Sequence, residues 1–215
     1  GRLPTAMQLS TAQALTGWEK VVFTGRWPLG LVDYSDPSSP VSVKLESWTP
    51  FIPLATDDSS LPVTLMEYTV ENHSDKPVKG RLAGLWENPV LIHSRQAVGA
   101  TLNSRILRES GRTILFHSAT EDASASSGDF GTAALTLLDD SSKMETNSTD
   151  QISAGFQLQP GEKTTLRFLL TWRFPNMQRL PKIGVQVPHY TTRFADAAAV
   201  ARHVADRFEE LRTAT

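Results

Sequence analysis

A period-two alternation of apolar and polar residues recurs along this chain, and it restricts the fold more than any other feature. In residues 41–46, Val41, Val43 and Leu45 alternate with Ser42, Lys44 and Glu46. In residues 65–71, Met66, Tyr68 and Val70 oppose Glu67, Thr69 and Glu71. Successive side chains of a strand point to opposite faces, so each segment predicts a strand with one buried and one wet face. The same reading predicts strands over 81–86, 101–108, 113–117, 133–138, 152–158 and 165–172. In the last, Leu166, Phe168, Leu170 and Trp172 are expected inside, and Arg167 and Thr171 outside. The turn chemistry of Asn72 to Pro77 predicts a hairpin returning at 81–86, and Gly111 predicts a second hairpin. Residues 118–129 and 139–150, crowded with Ser, Asp and Thr, predict loops. Many short strands with regular turn signals predict a mainly β fold, an antiparallel β-sandwich.

Only the end changes period. Phe194, Ala197, Ala201, Val204, Phe208 and Leu211 recur at steps of three and four, predicting an amphipathic helix over 194–211 with Thr192 as N-cap. Its apolar stripe must be covered, either by this chain's own sheet or by a helical domain that follows.

Composition removes whole classes of function. The 215 residues carry 21 Lys+Arg against 23 Asp+Glu, so the chain lacks the positive field of a nucleic-acid binder. It has no Cys, which excludes disulfides, thiolate metal sites and Cys nucleophiles but leaves the compartment open. No apolar run reaches the ~18 residues of a membrane span, and no secretory leader is evident, so a soluble chain is expected. Gly1 in place of an initiator Met reads as a processing mark, and the chain is expected to be a piece of a longer protein.

Catalytic chemistry finds few candidates. His73, His93, His117, His189 and His203 lack ligand spacing, so no metal is expected, and no cofactor motif occurs. His117 is expected to pack at a strand end. Ser124 to Ser127 lacks the glycines of a nucleophile elbow. Glu46, Asp57, Asp58, Glu67, Glu71 and Glu87 could supply a carboxylate pair for glycoside hydrolysis, but Glu46, Glu67 and Glu71 stand on the polar phase of strands, where solvated charges belong. Trp86 and Trp172 fall on apolar phases and are expected in the core. Trp27 and Trp48, in Pro-rich surroundings, are the candidates for an exposed surface, together with Pro50 and Phe51. Asn72 and Asn147 open glycosylation acceptor triplets, a pattern frequent by chance.

Several segments in one order carry a resemblance. GRWPLGLVDYSD (25–36), ESWTPFIPL (46–54), DDSSLPV (57–63), VEN (70–72), FGTAAL (130–135), LQPGEKTTLRFLLTWRFPN (158–176) and HYTTRFADAAAVA (189–201) resemble the N-terminal β-domain of glycoside hydrolase family 116, which includes the non-lysosomal glucosylceramidases. The likeness covers about residues 23 to 201. It implies a β-sandwich over 23–190, an N-terminal extension or remnant over 1–22, and a linker helix over 191–215 leading to an (α/α)-barrel catalytic domain. It also implies retaining β-glucoside hydrolysis by carboxylates on that barrel, with a glucosylceramide-like substrate reached only through the parent enzyme. The resemblance carries no catalytic residue of the family onto this chain. Thr49, Trp48 and Arg173 depart from the family's common residues, and its glycine-rich opening has no match in 1–22. A stand-alone carbohydrate-binding sandwich, with Trp27 or Trp48 exposed, is the principal rival. A module that docks its terminal helix on a partner is the third reading.

Overall fold

A computed structural model of the protein describes residues 17–120, 126–138, 144–148, 150–176 and 186–215. The strands are β1 (Lys20–Arg26), β2 (Leu29–Ser35), β3 (Val41–Trp48), β4 (Val63–Asn72), β5 (Val78–Leu85), β6 (Leu102–Glu109), β7 (Arg112–Ala119), β8 (Thr132–Leu138), β9 (Met144–Ser148), β10 (Gln151–Leu158) and β11 (Lys163–Arg173). Short helical turns α1 (Thr56–Ser59), α2 (Arg95–Val98) and α3 (Tyr190–Arg193) join them, and α4 (Ala197–Asp206) and α5 (Phe208–Ala214) end the chain. An eight-stranded sheet in the order β1-β2-β3-β4-β11-β8-β7-β6 faces a three-stranded sheet, β5-β10-β9. All pairs are antiparallel. The mainly β sandwich expected from the alternation is therefore present.

The inner core lies between the sheets, where Leu115, Leu135, Leu137, Leu166 and Phe168 of the large sheet meet Ile152 and Ala154 of β10. The expected hairpin at 72–77 is not one. β4 pairs with β3 and β11, whereas β5 pairs with β10, so this turn carries the chain from one sheet to the other. Asn72 builds that corner: its fully buried amide donates to the carbonyls of Lys76 at 2.8 Å and Leu158 at 3.1 Å, and its Oδ1 accepts from the Ser74 N–H. That burial withdraws Asn72 as a glycosylation acceptor in the folded chain. The second hairpin, β6–β7 around Gly111 at φ 71°, is as expected. β9 lies inside the segment read as a loop over 139–150, and β1 and β2 form a further hairpin. Residues 121–125, 139–143 and 149 lie outside the described residues, as do 1–16 of the N-terminal extension.

The opposite face of the large sheet is not simply wet. α4 and α5 lie on it, and Phe194, Ala197, Ala201, Val204, Phe208 and Leu211 are all buried there. The helical stripe is thus covered by this chain's own sheet, which removes the motive for a helix that docks elsewhere. The expected single helix is two, with a break at Arg207. Its N-cap is Asp196, whose carboxylate accepts from Ala199 N at 2.7 Å; Thr192 instead turns its hydroxyl back to the His189 carbonyl in α3. Thr171, expected in solvent, is fully buried and donates to the Ala197 carbonyl at 2.9 Å. Trp172, expected on the buried face, is only partly buried.

Strand register explains where the helical layer stops. One row across the helix side reads Leu29, Trp48, Leu65, Leu169; the next reads Leu31, Glu46, Glu67, Arg167; the next reads Asp33, Lys44, Thr69, Thr165. The first row is apolar and roofed by Phe208 and Leu211, and the third is polar and, among the described residues, open. The middle row is the boundary. Among the described residues no helix is long and apolar enough to cross a membrane.

Candidate functional site

The four residues singled out from sequence divide into two pairs. Trp27, at the tip of the β1–β2 hairpin, is 77% exposed and meets Phe51 edge-on with ring centroids 5.4 Å apart. Phe51 is 43% exposed, and Leu54, at φ 68°, is fully exposed. A positive φ is costly for a branched side chain and needs a rigid surround. That surround is present. Pro50 is buried, Thr49 Oγ1 donates to the Val63 carbonyl, and Ser59 Oγ bridges the N–H and carbonyl of Ile52 at 2.9 Å each. Trp48 belongs elsewhere. Expected in a loop at the surface, it is the last residue of β3 and 2% exposed, edge-on to Phe208 at 5.8 Å. It stands on the strand's polar phase and is buried because α5 covers that phase.

The carboxylate candidates meet as a pair only in the boundary row. Glu46 and Glu67 are direct cross-strand neighbours, an arrangement that repels unless cations intervene. Arg212 of α5 lies between them, contacting Glu46 Oε1 through Nη2 and Glu67 Oε1 through Nε at 3.3 Å. Glu67 also accepts from Trp48 Nε1 at 3.1 Å and from Arg167 Nε at 3.1 Å. The guanidinium of Arg212 stacks on Trp48 and that of Arg167 on Phe208. Acid–base work needs a carboxyl free to exchange a proton with substrate. Here both oxygens of Glu67 and Oε1 of Glu46 are committed to fixed donors, and the pair fastens α5 to the sheet.

Asp57 and Asp58 sit in α1. Asp58 accepts two bonds from Arg207, at 2.6 and 3.0 Å, while Asp57 lies 3.8 Å from His189. The Arg207 hydrogen bond, opposed by partial burial, holds the Asp58 carboxyl below its usual range. Glu87 is exposed. Asp129, not singled out from sequence, secures the loop before α2. Burial pushes its carboxyl up, but the Ser94 hydroxyl and the N–H groups of His93 and Ser94 outweigh that and hold it low.

One constellation escaped the sequence reading because its members are cross-strand. Ser42 Oγ lies 2.6 Å from His73 Nε2, and His73 Nδ1 lies 3.9 Å from Glu71 Oε1, in the order of a hydrolase triad. A triad also needs spare N–H donors for an oxyanion. The surrounding N–H groups are taken: Ser38 by Asp36 Oδ1, Ser39 by the Asp36 carbonyl, Val41 by Ser39 Oγ, His73 by the Pro40 carbonyl and Ser74 by Asn72 Oδ1. The arrangement therefore closes a surface turn.

His117 packs as expected. It is fully buried on the inner face, edge-on to Trp86, with Nδ1 2.8 Å from Ser104 Oγ. Burial pulls its pKa down to about 4, against smaller upward effects of the Trp86 backbone and Asp150. Among the described residues no group of three or more His, Asp or Glu side chains could hold a metal ion.

The segments 46–63 and 189–201 pack as one unit: the first makes part of the seat and the second the start of the helices seated on it. A family model described as beta-glucosidase 2, glycosyl-hydrolase family 116 N-term, matches residues 3–151 and 135–211. The chain belongs to this family of glycosyl-hydrolase N-terminal domains. Comparison with curated proteins finds no match. Similar solved structures include one described as a kojibiose phosphorylase from the human microbiome, at 9% identity and TM-score 0.41, covering 66% of this chain and 17% of that one. A polysaccharide lyase gives 15%, 0.40, 66% and 21% in the same order. An aldose 1-epimerase from Klebsiella pneumoniae subsp. pneumoniae MGH 78578 gives 14%, 0.37, 89% and 57%. The chain spans less than two thirds of each, and TM-scores this low say nothing of its chemistry. The family 116 assignment rests on the family model alone.

Proposed function

We propose that this chain is the non-catalytic β-sandwich domain of a family 116 β-glucosidase, packing against a catalytic (α/α)-barrel that carries the working carboxylates of retaining β-glucoside hydrolysis. The observation that carries this reading is the state of the Glu46–Glu67 pair. These cross-strand carboxylates are locked by Arg212, Arg167 and the Trp48 indole rather than facing each other across a space for a glycosidic bond. The edge formed by Trp27, Phe51 and Leu54 is the surface offered to the barrel. Rigidly held, exposed aromatic and aliphatic side chains are the usual anchors of an interface. Assay of the isolated chain on an aryl β-glucoside tests the reading. No turnover is expected; turnover abolished by Glu46→Gln or Glu67→Gln would overturn it.

The stand-alone carbohydrate-binding module keeps one supporting observation, the exposure of Trp27 beside Phe51. If Trp27 is a sugar platform, glycan titration quenches its fluorescence and Trp27→Ala removes the quench. Under the first reading, in which the chain is a buttress for the barrel, the isolated chain shows no Trp27-dependent quench.

A further inference from the structure

The register that ends the helical layer also leaves an opening. Among the described residues nothing covers the large sheet beyond Arg212, and between the end of α5 and the row Asp33, Lys44, Thr69, Thr165 lies a groove of about 440 Å³. The boundary row of Glu46, Glu67 and Arg167 lines it as well. This volume lies within the usual range for small-ligand sites.

The chemistry of the lining selects among ligands. Asp33, Glu46 and Glu67 balance Lys44, Arg167 and Arg212, so the groove carries no net formal charge and gives a strongly charged ligand no net attraction. An apolar ligand would strip water from these groups without replacing its hydrogen bonds, which is costly. The Asp33 carboxylate and the Glu46 oxygen not held by Arg212 accept, guanidinium and ammonium groups donate, and the Thr69 and Thr165 hydroxyls, 2.9 Å apart, do both. A neutral molecule dense in hydroxyls satisfies all three kinds of partner. Arg212 commits Nε and Nη2 to the two glutamates, and its guanidinium holds more N–H donors than those contacts use. This lining is also fixed beforehand, because Arg212 and Arg167 are stacked on Trp48 and Phe208 and Glu67 is pinned by the Trp48 indole. A preset array loses little conformational freedom on binding.

We infer that this groove binds a neutral polyhydroxylated ligand of mono- or disaccharide size. This goes beyond the buttress role and is independent of it: an inactive chain can bind here, and a chain that binds nothing can still support a barrel. Two-dimensional amide NMR of the intact chain, titrated separately with cellobiose, maltose and lactose, tests it. At least one sugar is expected to give saturable shifts centred on Lys44, Thr69, Thr165 and Arg212. The exposed double variant Lys44→Ala with Thr165→Val should weaken that sugar about tenfold, while Trp27→Ala leaves it unchanged. If the double variant fails to unfold cooperatively in urea, the wild-type shift map decides alone. The inference is overturned if no sugar gives saturable shifts, if the shifts centre on Trp27 and Phe51, or if inorganic phosphate binds the groove more tightly than any of the sugars.

Discussion

Arg207 clamps Asp58 with two hydrogen bonds, of 2.6 and 3.0 Å, across 149 residues of sequence. The clamp stands where α4 gives way to α5, and the same guanidinium holds Glu210 at 2.6 and 3.0 Å. Arg207 has left helical geometry, at φ −114° and ψ 15°. The helix break and the Pro-rich connection are thus one joint: the connection supplies the acid, and the break supplies the base.

Arg207→Ala should therefore destabilise the fold by roughly 1–3 kcal/mol, the range for charge-assisted hydrogen bonds in partly buried settings. Asp58→Asn should lose a comparable amount, and the double variant less than the sum, as a double-mutant cycle in urea would show. The sign with pH follows from the lowered carboxyl. The Asp58 contribution is complete above the unfolded carboxylate value and is lost as pH falls through the lower folded one. Arg207→Ala should accordingly cost least at the acid end of the range.

His117 sets a different acid limit. Its folded pKa, about 4, lies below the ordinary value of 6.5, so the unfolded chain takes up the proton first. Above the ordinary value both states are neutral and the residue is without effect. As pH falls from there toward the folded value stability declines, by a cumulative loss on the order of 3 kcal/mol. Urea midpoints measured across that window should fall in the wild type and fall less in His117→Leu. An equal decline in both would assign the acid sensitivity elsewhere.

Gly131 marks a close approach between the start of β8 and the end of β11. A Cβ there would sit 2.2 Å from the Arg173 carbonyl oxygen and 3.0 Å from Phe174 Cα. Backbone cannot yield as a side chain can, so Gly131→Ala should cost more than the usual 1–3 kcal/mol of core overpacking. Gly84→Ala is the control. Its nearest neighbour is a Leu135 methyl at 2.8 Å, the movable end of a side chain, and the Tm should drop less than for Gly131→Ala.

What the sequence showed plainly was the inner face. Met66, Tyr68, Val70, Leu166 and Phe168 kept their phase because burial between two sheets imposes a strict period of two. The outer face was legible only in part, since its cover is distant in sequence. The signal was nevertheless there. In β3, β4 and β11 the polar phase turns apolar at Trp48, Leu65 and Leu169, which stand in one row. A single strand reads this as an irregularity; three in register read it as the edge of a helical layer. The exposed Trp27–Phe51 pair depends on the course of the Pro-rich connection, and the Arg212 bridge depends on the helix break. Neither is fixed by local patterning. The switch of sheets at Asn72 was hidden for a related reason, because the same turn residues serve a hairpin and a crossover.

The helical layer should prove part of the domain rather than an appendage. Leu211 is fully buried and packs with Trp48, Leu65 and Phe208. Leu211→Ala should cost about 2–5 kcal/mol. Trp48 emission should shift to longer wavelength as the roof over the apolar row loosens. Wild-type stability and emission in that variant would mean that α5 is not held on the sheet.

Arg212 gives the sharpest electrostatic test. Glu46 and Glu67 are cross-strand neighbours, and Arg212 is the group that contacts both. Removing it as Arg212→Met leaves like charges opposed beside a buried indole. The loss, about 1–2 kcal/mol, should exceed that of an ordinary surface ion pair. A second change, Glu46→Gln, removes the repulsion and should recover part of the loss, although on its own it breaks the contact with Arg212. Such sign reversal between backgrounds is the mark of a balanced triad. The deficit of Arg212→Met should also shrink at high salt, because these side chains are partly exposed and screening weakens the repulsion between the two glutamates. If Glu46→Gln lowers stability equally with and without Arg212, the two carboxylates do not repel across the strands and the boundary row is held by packing alone.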